Sequence, residues 1–221
     1  MSLKPYYFDD ETIEIGIDEV GRGPMFGRVY AACVILPKDN SFKHELMKDS
    51  KKFTSKKKLE ATASYIKENC IRYSIGYESE NHIDKNNIKI STYAAMHKAI
   101  KNIINLNEDS LIIVDGNDFK PYTYIDNESE MIKEIPSQCI IGGDNIQSSI
   151  AAASILAKVE RDNYIYELCK EFPKLDEYYD LSKNKGYGTA KHMLGIKEYG
   201  ITQWHRKSFG ICKISNLINI E

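Results

Sequence analysis

Thr12-Ile13-Glu14-Ile15-Gly16-Ile17-Asp18-Glu19-Val20-Gly21-Arg22-Gly23-Pro24 decides how the rest of the chain is read. Ile13, Ile15 and Ile17 fall on one side, Glu14 and Gly16 on the other, which predicts a strand over 12–18 ending at Asp18. Past the Gly/Pro turn, Val29 to Leu36 is almost continuously apolar, as suits a strand covered on both faces. Ile71, Tyr73, Ile75 and Tyr77 alternate with Arg72, Ser74, Gly76 and Glu78, a half-buried strand. Leu111 to Val114 is a buried strand that stops at Asp115, and Cys139 to Ile141 is another, closed by Gly142-Gly143-Asp144.

Helical spacing fills the intervals. Thr54 or Ser55 can cap a helix running through Leu59, Tyr65 and Ile66. Met96, Ala99, Ile103 and Leu106 share a face of a helix that starts near Asn86-Asn87. Ile146, Ile150, Ala153, Ala157, Tyr164 and Leu168 follow helical spacing through a long segment whose alanines allow close approach to a sheet. A last helix spans about 188–199 and is broken by Gly200. Strands early, then strand and helix in alternation, imply an α/β fold with a central mixed β-sheet flanked by helices. The stretch 116–136 reads as a polar surface excursion.

The 221 residues suit one domain over 1–221, and 42% apolar with 28% charged residues excludes intrinsic disorder. No apolar run is long enough to span a membrane, and the first residues lack an apolar core of signal-peptide length. Five widely spaced cysteines without a C-x-x-C read as reduced thiols in a cytoplasmic protein, with no zinc site. Thirty Lys+Arg against 32 Asp+Glu give a net charge of −2, which on its face argues against a nucleic-acid partner. The average conceals segregation, because lysines cluster over 48–58 while acids gather at strand ends and over 116–136.

Four acids occupy one kind of place. Asp18 and Glu19 end the first strand, Asp115 ends a buried one, and Asp144 follows another at the mouth of the long helix. Ligands of open α/β sheets gather beyond the carboxyl ends of strands. Carboxylates converging there repel unless a cation holds them, and an oxygen-only set points to Mg²⁺ or Mn²⁺. Such clusters suit metal-assisted phosphoryl transfer. Nearby, Gly21-Arg22-Gly23 forms a turn whose backbone can approach a ribose 2′-hydroxyl. Lys48, Lys51, Lys52, Lys56, Lys57 and Lys58 can meet phosphates, and Tyr187 between two glycines can stack on a sugar or base. His205-Arg206-Lys207-Ser208 either touches phosphate or packs the terminal segment. His44, His82, His97 and His192 show no ligand spacing and suit surface or core roles.

Six ordered motifs carry a resemblance to the type 2 ribonucleases H, the ribonuclease HII family. They are Gly16 to Pro24, Asp49-Ser50-Lys51-Lys52, Ile113-Val114-Asp115-Gly116-Asn117, Gly143-Asp144 with Ser149 to Val159 and Arg161-Asp162, Lys185 to Thr189, and His205 to Phe209. The resemblance implies a ribonuclease H-like fold with a small C-terminal helical portion at about 180–221. It also implies endonucleolytic hydrolysis of the RNA strand of RNA–DNA hybrids, and incision 5′ of single ribonucleotides embedded in duplex DNA, leaving 5′-phosphate and 3′-hydroxyl ends. Carried over, Asp18, Glu19, Asp115 and Asp144 are the catalytic acids holding two Mg²⁺ or Mn²⁺ ions. Gly21, Arg22 and Gly23 sense the 2′-hydroxyl, Tyr187 stacks on the sugar 3′ of the cut, and Lys51 and Lys158 contact phosphate. Asp162 is structural, and a monomer is expected. Phe26 and Arg28 depart from the small residue and proline of the family pattern, and Asp115 and Asp144 stand 29 positions apart, so 116–136 resembles an insertion. Ribonuclease HIII is similar in chemistry but carries an N-terminal substrate-binding domain and another form of the turn, whereas 15 residues precede Gly16 here.

Overall fold

A computed structural model of the chain describes residues 3–126 and 128–220. A five-stranded sheet lies at its centre, built from β1 (Ile13–Val20), β2 (Val29–Ile35), β3 (Arg72–Glu78), β4 (Ser110–Asp115) and, at the far edge, Ser137–Ile140. Before that edge strand come β5 (Thr123–Ile125) and β6 (Ile132–Glu134), a separate antiparallel pair, which makes Ser137–Ile140 β7. The order is β3-β2-β1-β4-β7, antiparallel from β3 to β1 and parallel from β1 to β7, so the sheet is mixed. The helices are α1 (Lys56–Asn69), α2 (Glu80–Ile103), α3 (Ser148–Glu171), α4 (Lys174–Tyr179), α5 (Leu181–Asn184) and α6 (Ala190–Tyr199).

The alternation in β1 sends its two faces to different helices. Ile15 and Ile17 join β2 residues Val29, Ala31 and Cys33 and α2 residues Ala95, Met96, Ala99 and Ile100 in one core. On the other face Ala32 and Val34 meet α1 and the alanines of α3. A third cluster packs Met25 and Phe26 against the end of α3 and helices α4 to α6. Burial of this kind stabilises by about 25 cal/mol per Å² of apolar surface, which outweighs the weak intrinsic propensity of short elements.

Several expectations need correcting. β1 runs two residues beyond Asp18, because antiparallel pairing with β2 continues as far as Val20 opposite Tyr30. In β3 the covered residues are Ser74, Gly76 and Glu78, while Tyr73 and Tyr77 are exposed. A Cβ on Gly76 would stand 2.2 Å from the Ala95 carbonyl, so α2 lies directly on the small-residue face and Glu78 is held there by Lys98 at 2.8 Å. Asn87 caps the main run of α2 as expected, its Oδ1 accepting from Ile90 N–H, but a preceding turn capped by Ser79 extends the element back to Glu80. Leu106 lies outside that helix, and Ile146 precedes α3. The 116–136 stretch is more than a polar excursion. Ile135, just past the β5–β6 hairpin, is buried in the core beneath α2, and Phe119 and Tyr122 pack edge-on against His97 of α2.

Candidate active site

Register brings the acids together. Parallel pairing sets Ile17 opposite Val114, so the next residues along, Asp18 and Asp115, are neighbours. β7 pairs alongside, and the 3-10 turn Gly143–Asn145 that follows it carries Asp144. Carboxylate oxygens of Asp18, Asp115 and Asp144 all lie within 4.8 Å of one another. Asp18 accepts from Glu19 N–H at 2.7 Å, Asp115 from Gly143 N–H at 2.7 Å, and Asp144 from the Asn145 amide at 2.8 Å. Glu19 is not one of this trio, and its carboxylate turns to Arg22 at 3.3 Å.

The charges are strained against one another. Burial, then the neighbouring Glu19 and Asp115, pushes the Asp18 carboxyl well above its usual range. Burial and the proximity of Asp115 and Asp49 raise Asp144, opposed by Lys51. Burial also raises Glu19, with Arg22 opposing. Three oxygen-only ligands that destabilise one another without a counter-charge are the donor set a hard divalent cation requires. Beside them opens a cleft of about 270 Å³ lined by Glu19, Arg22, Tyr93, Met96, Asp115 and Asp118.

The turn after β1 is held from beneath by two arginines. Arg206, fully buried, donates to the carbonyls of Gly21 (2.6 Å), Arg22 (3.0 Å), Pro24 (2.7 Å), Gly27 (2.8 Å) and Arg28 (3.2 Å). Arg161, equally buried, donates to Phe26, Arg28 and Lys185 carbonyls. Gly21 has φ +91°, and a Cβ there would meet Arg161 Nε at 2.3 Å, so only glycine lets the two groups approach. Arg22 and Gly23 are exposed, and among the described residues their backbone N–H groups donate to no protein acceptor. Gly23 faces the Tyr187 ring, which is 45% exposed.

The family model for ribonuclease HII matches residues 15–212. The chain belongs to the ribonuclease HII family. Ribonuclease HII of Bacteroides thetaiotaomicron is 42% identical over 93% of each chain, and that of Cytophaga hutchinsonii 41% identical over 95% of this chain and 94% of its own. Ribonuclease H2 of Pyrococcus horikoshii superposes with a TM-score of 0.70 at 21% identity, covering 90% of this chain and 95% of that one. At that identity the likeness speaks for the fold alone. The protein is therefore an endonuclease of the ribonuclease H class, acting on the RNA strand of RNA–DNA hybrids, and such enzymes depend on a divalent cation.

Of the residues singled out in the sequence, Asp18, Asp115 and Asp144 converge, Glu19 and Arg22 line the cleft beside them, and Gly23, in the turn that follows, faces Tyr187. The charge of Lys51 acts on Asp144, although among the described residues the two form no ion pair. Lys158 is paired with Asp162 at 2.8 Å, one turn along α3. His205 and Arg206 are both fully buried and serve packing, while Lys207 and Ser208 of the same motif are exposed. Phe26 is fully buried, and Arg28 lies over the rings of Tyr77 and Tyr164 at 4.3 and 4.4 Å, so the family departures are absorbed by neighbouring aromatics. Sequence reading missed Arg161 and Arg206 as supports of the turn. For Arg161 a signal was available, since an arginine in a motif otherwise rich in small apolar residues needs acceptors, but it did not say which; His205 to Phe209 carries no such signal for Arg206.

Proposed function

We propose that this ribonuclease HII also incises duplex DNA on the 5′ side of a single embedded ribonucleotide, by hydrolysis at a two-cation centre that leaves 5′-phosphate and 3′-hydroxyl ends. The observation that carries this reading is the trio Asp18, Asp115 and Asp144 with oxygens within 4.8 Å, set beside a turn with free backbone donors and an exposed tyrosine. Two Mg²⁺ or Mn²⁺ ions held by these acids, with Glu19 at the rim, would supply activation of water and stabilisation of the leaving oxygen. The protein's own groups do the selecting. The Arg22 and Gly23 N–H groups, fixed by Arg206 beneath them, meet the 2′-hydroxyl, which deoxyribose lacks. The Tyr187 ring stacks on the sugar 3′ of the cut, so that both sides of the junction are read. Lys51 and Lys158 contact phosphates and steer the duplex without reading sequence. The chain works in this reading as a monomeric catalytic domain, its partners RNA–DNA hybrid and ribonucleotide-containing duplex DNA.

The test is cleavage of a duplex carrying one ribonucleotide, with Mg²⁺ and with Mn²⁺, by wild type, Asp18→Asn, Asp115→Asn and Tyr187→Ala. Wild type should yield the 5′ incision product. The Asn variants should lose at least about 100-fold in turnover while still binding hybrid, and wild-type turnover in either would end the two-cation reading. Tyr187→Ala should harm the single-ribonucleotide substrate more than a continuous hybrid, and equal losses would remove its junction role.

A further inference from the structure

Beneath Tyr187 lies a chain of hydrogen bonds whose direction is set by one backbone group. The Thr202 N–H donates to His205 Nδ1 at 2.9 Å, and a peptide N–H can only donate. His205 Nδ1 is therefore unprotonated, and its ring proton sits on Nε2. That proton points at His192 Nε2, 3.1 Å away, which must accept. His192 consequently carries its proton on Nδ1 and donates it to the Tyr187 carbonyl at 3.0 Å. Both rings are fully buried. A second proton on either ring would set N–H against N–H at one of these contacts, so the chain exists only with both histidines neutral.

The surroundings offer no compensation for a charge. Tyr179 of α4 packs edge-on against both rings, with its hydroxyl donating to the Gly200 carbonyl and Cys212 beside it. Phe26, from the turn after β1, lies edge-on to His205 at 4.9 Å and bridges to it through the backbone. Arg206 is adjacent in sequence and adds positive charge. No carboxylate among the described residues is bonded or paired to either ring. Burial accordingly lowers both imidazoles below their ordinary value, His205 further because His192 faces it.

We propose that His192 and His205 are positioning residues for Tyr187, and that they give cleavage at a single ribonucleotide an acid limb which cleavage of continuous hybrid lacks. The inference rests on the junction-reading role of Tyr187 proposed above. Neutral, the pair ties the Tyr187 carbonyl to the terminal segment. Protonation at His192 Nε2 or His205 Nδ1 breaks the His192–His205 or His205–Thr202 contact while His192 Nδ1–H keeps its bond to the Tyr187 carbonyl, so that carbonyl is cut off from the terminal segment and the ring loses its fixed place over the substrate sugar. The catalytic acids serve both substrates alike, so the ratio of kcat/KM values on the two isolates the tyrosine's contribution from titration of the acids.

The experiment measures that ratio between pH 5 and 8 for wild type, His192→Leu, His192→Asn and Tyr187→Ala. In wild type the ratio should fall about 2- to 12-fold on acidification, the worth of one hydrogen bond. His192→Leu should hold it at the low value throughout. His192→Asn, whose amide can donate to the Tyr187 carbonyl and accept from His205 Nε2 without titrating, should restore the ratio and flatten its pH profile. A wild-type ratio in His192→Leu, or a wild-type acid limb in His192→Asn, would overturn the inference. If Tyr187→Ala leaves the ratio unchanged, the junction-reading role itself fails; if it lowers the ratio while His192→Leu does not, only the relay fails. A ¹⁵N spectrum of the wild-type imidazoles provides a check independent of any variant. Protons on His205 Nε2 and His192 Nδ1 are expected, and the reverse tautomers would refute the chain.

Discussion

Replacing Arg206 by methionine should destabilise the protein by about 3–5 kcal/mol, although the residue touches no substrate. Its guanidinium is fully buried and donates five hydrogen bonds, all to carbonyls between Gly21 and Arg28. Burial pushes it down to about 9, so at neutral pH it is charged and the bonds are charge-assisted. At about 1.5–3 kcal/mol each, five such bonds would sum to roughly 8–15 kcal/mol, as much as the entire stability of a typical domain. The sum overshoots because removing the side chain also removes the desolvation penalty of its charge, which the carboxylates of Glu80 and Asp84 offset only in part. What remains is the penalty of carbonyls left without a donor. For a chain of this size it corresponds to a melting point lower by about 6–20 °C. Thermal unfolding followed by circular dichroism measures it, with Lys207→Ala as an exposed control expected within about 0.5 kcal/mol of wild type. Arg206→Lys should recover only part of the loss, since an ammonium has three donors and no planar fork. A melting point for Arg206→Met within 2 °C of wild type would refute the reasoning, and the turn would then have to hold itself.

The cation-free protein should become more stable when Asp18 or Asp115 is changed to Asn, by about 1–3 kcal/mol, because two carboxylates at this spacing repel. The sign follows from Asp18, whose folded pKa is raised: the stability it contributes is full below the unfolded value and lost as pH rises through the folded one. Mg²⁺ or Mn²⁺ should raise the wild-type melting point and barely move that of the Asn variants, and an equal shift in both would contradict a shared ligand set. Gly76→Ala should cost about 3 kcal/mol or more in denaturant unfolding, since its methyl would meet the Ala95 carbonyl at 2.2 Å; a neutral result would mean that α2 is free to lift. The depressed His192 and His205 contribute stability that is complete above pH ~6.5 and declines as pH falls from there toward their folded values. That decline should be absent from a His192→Leu, His205→Leu double variant followed by thermal melts across the same range.

Much of the fold can be read along the chain because its signals are local. Alternation in Ile13, Ile15 and Ile17, the apolar run Val29–Leu36 and the alanine spacing of α3 depend only on which residues must leave water, and each specifies an element. The turn of Gly21, Arg22 and Gly23 and the acids at strand ends are likewise local signals, and the ordered motifs mark the family. Register is not local. Asp18 meets Asp115 because β1 and β4 pair in parallel with Ile17 opposite Val114, and a slip of one residue would send one carboxylate to the opposite face. Glu19, next in sequence, points elsewhere for the same reason, which is why four acids in the sequence become a trio with one neighbour. The covered face of β3 was illegible because α2 selects small residues by proximity, and that proximity is decided by Ala95, well beyond the strand. Arg161, Arg206 and the His205–His192 pair show the limit most clearly. A sequence states that a side chain can donate or accept, but only the packed structure supplies the partner, and with it the direction of each hydrogen bond and the role that follows.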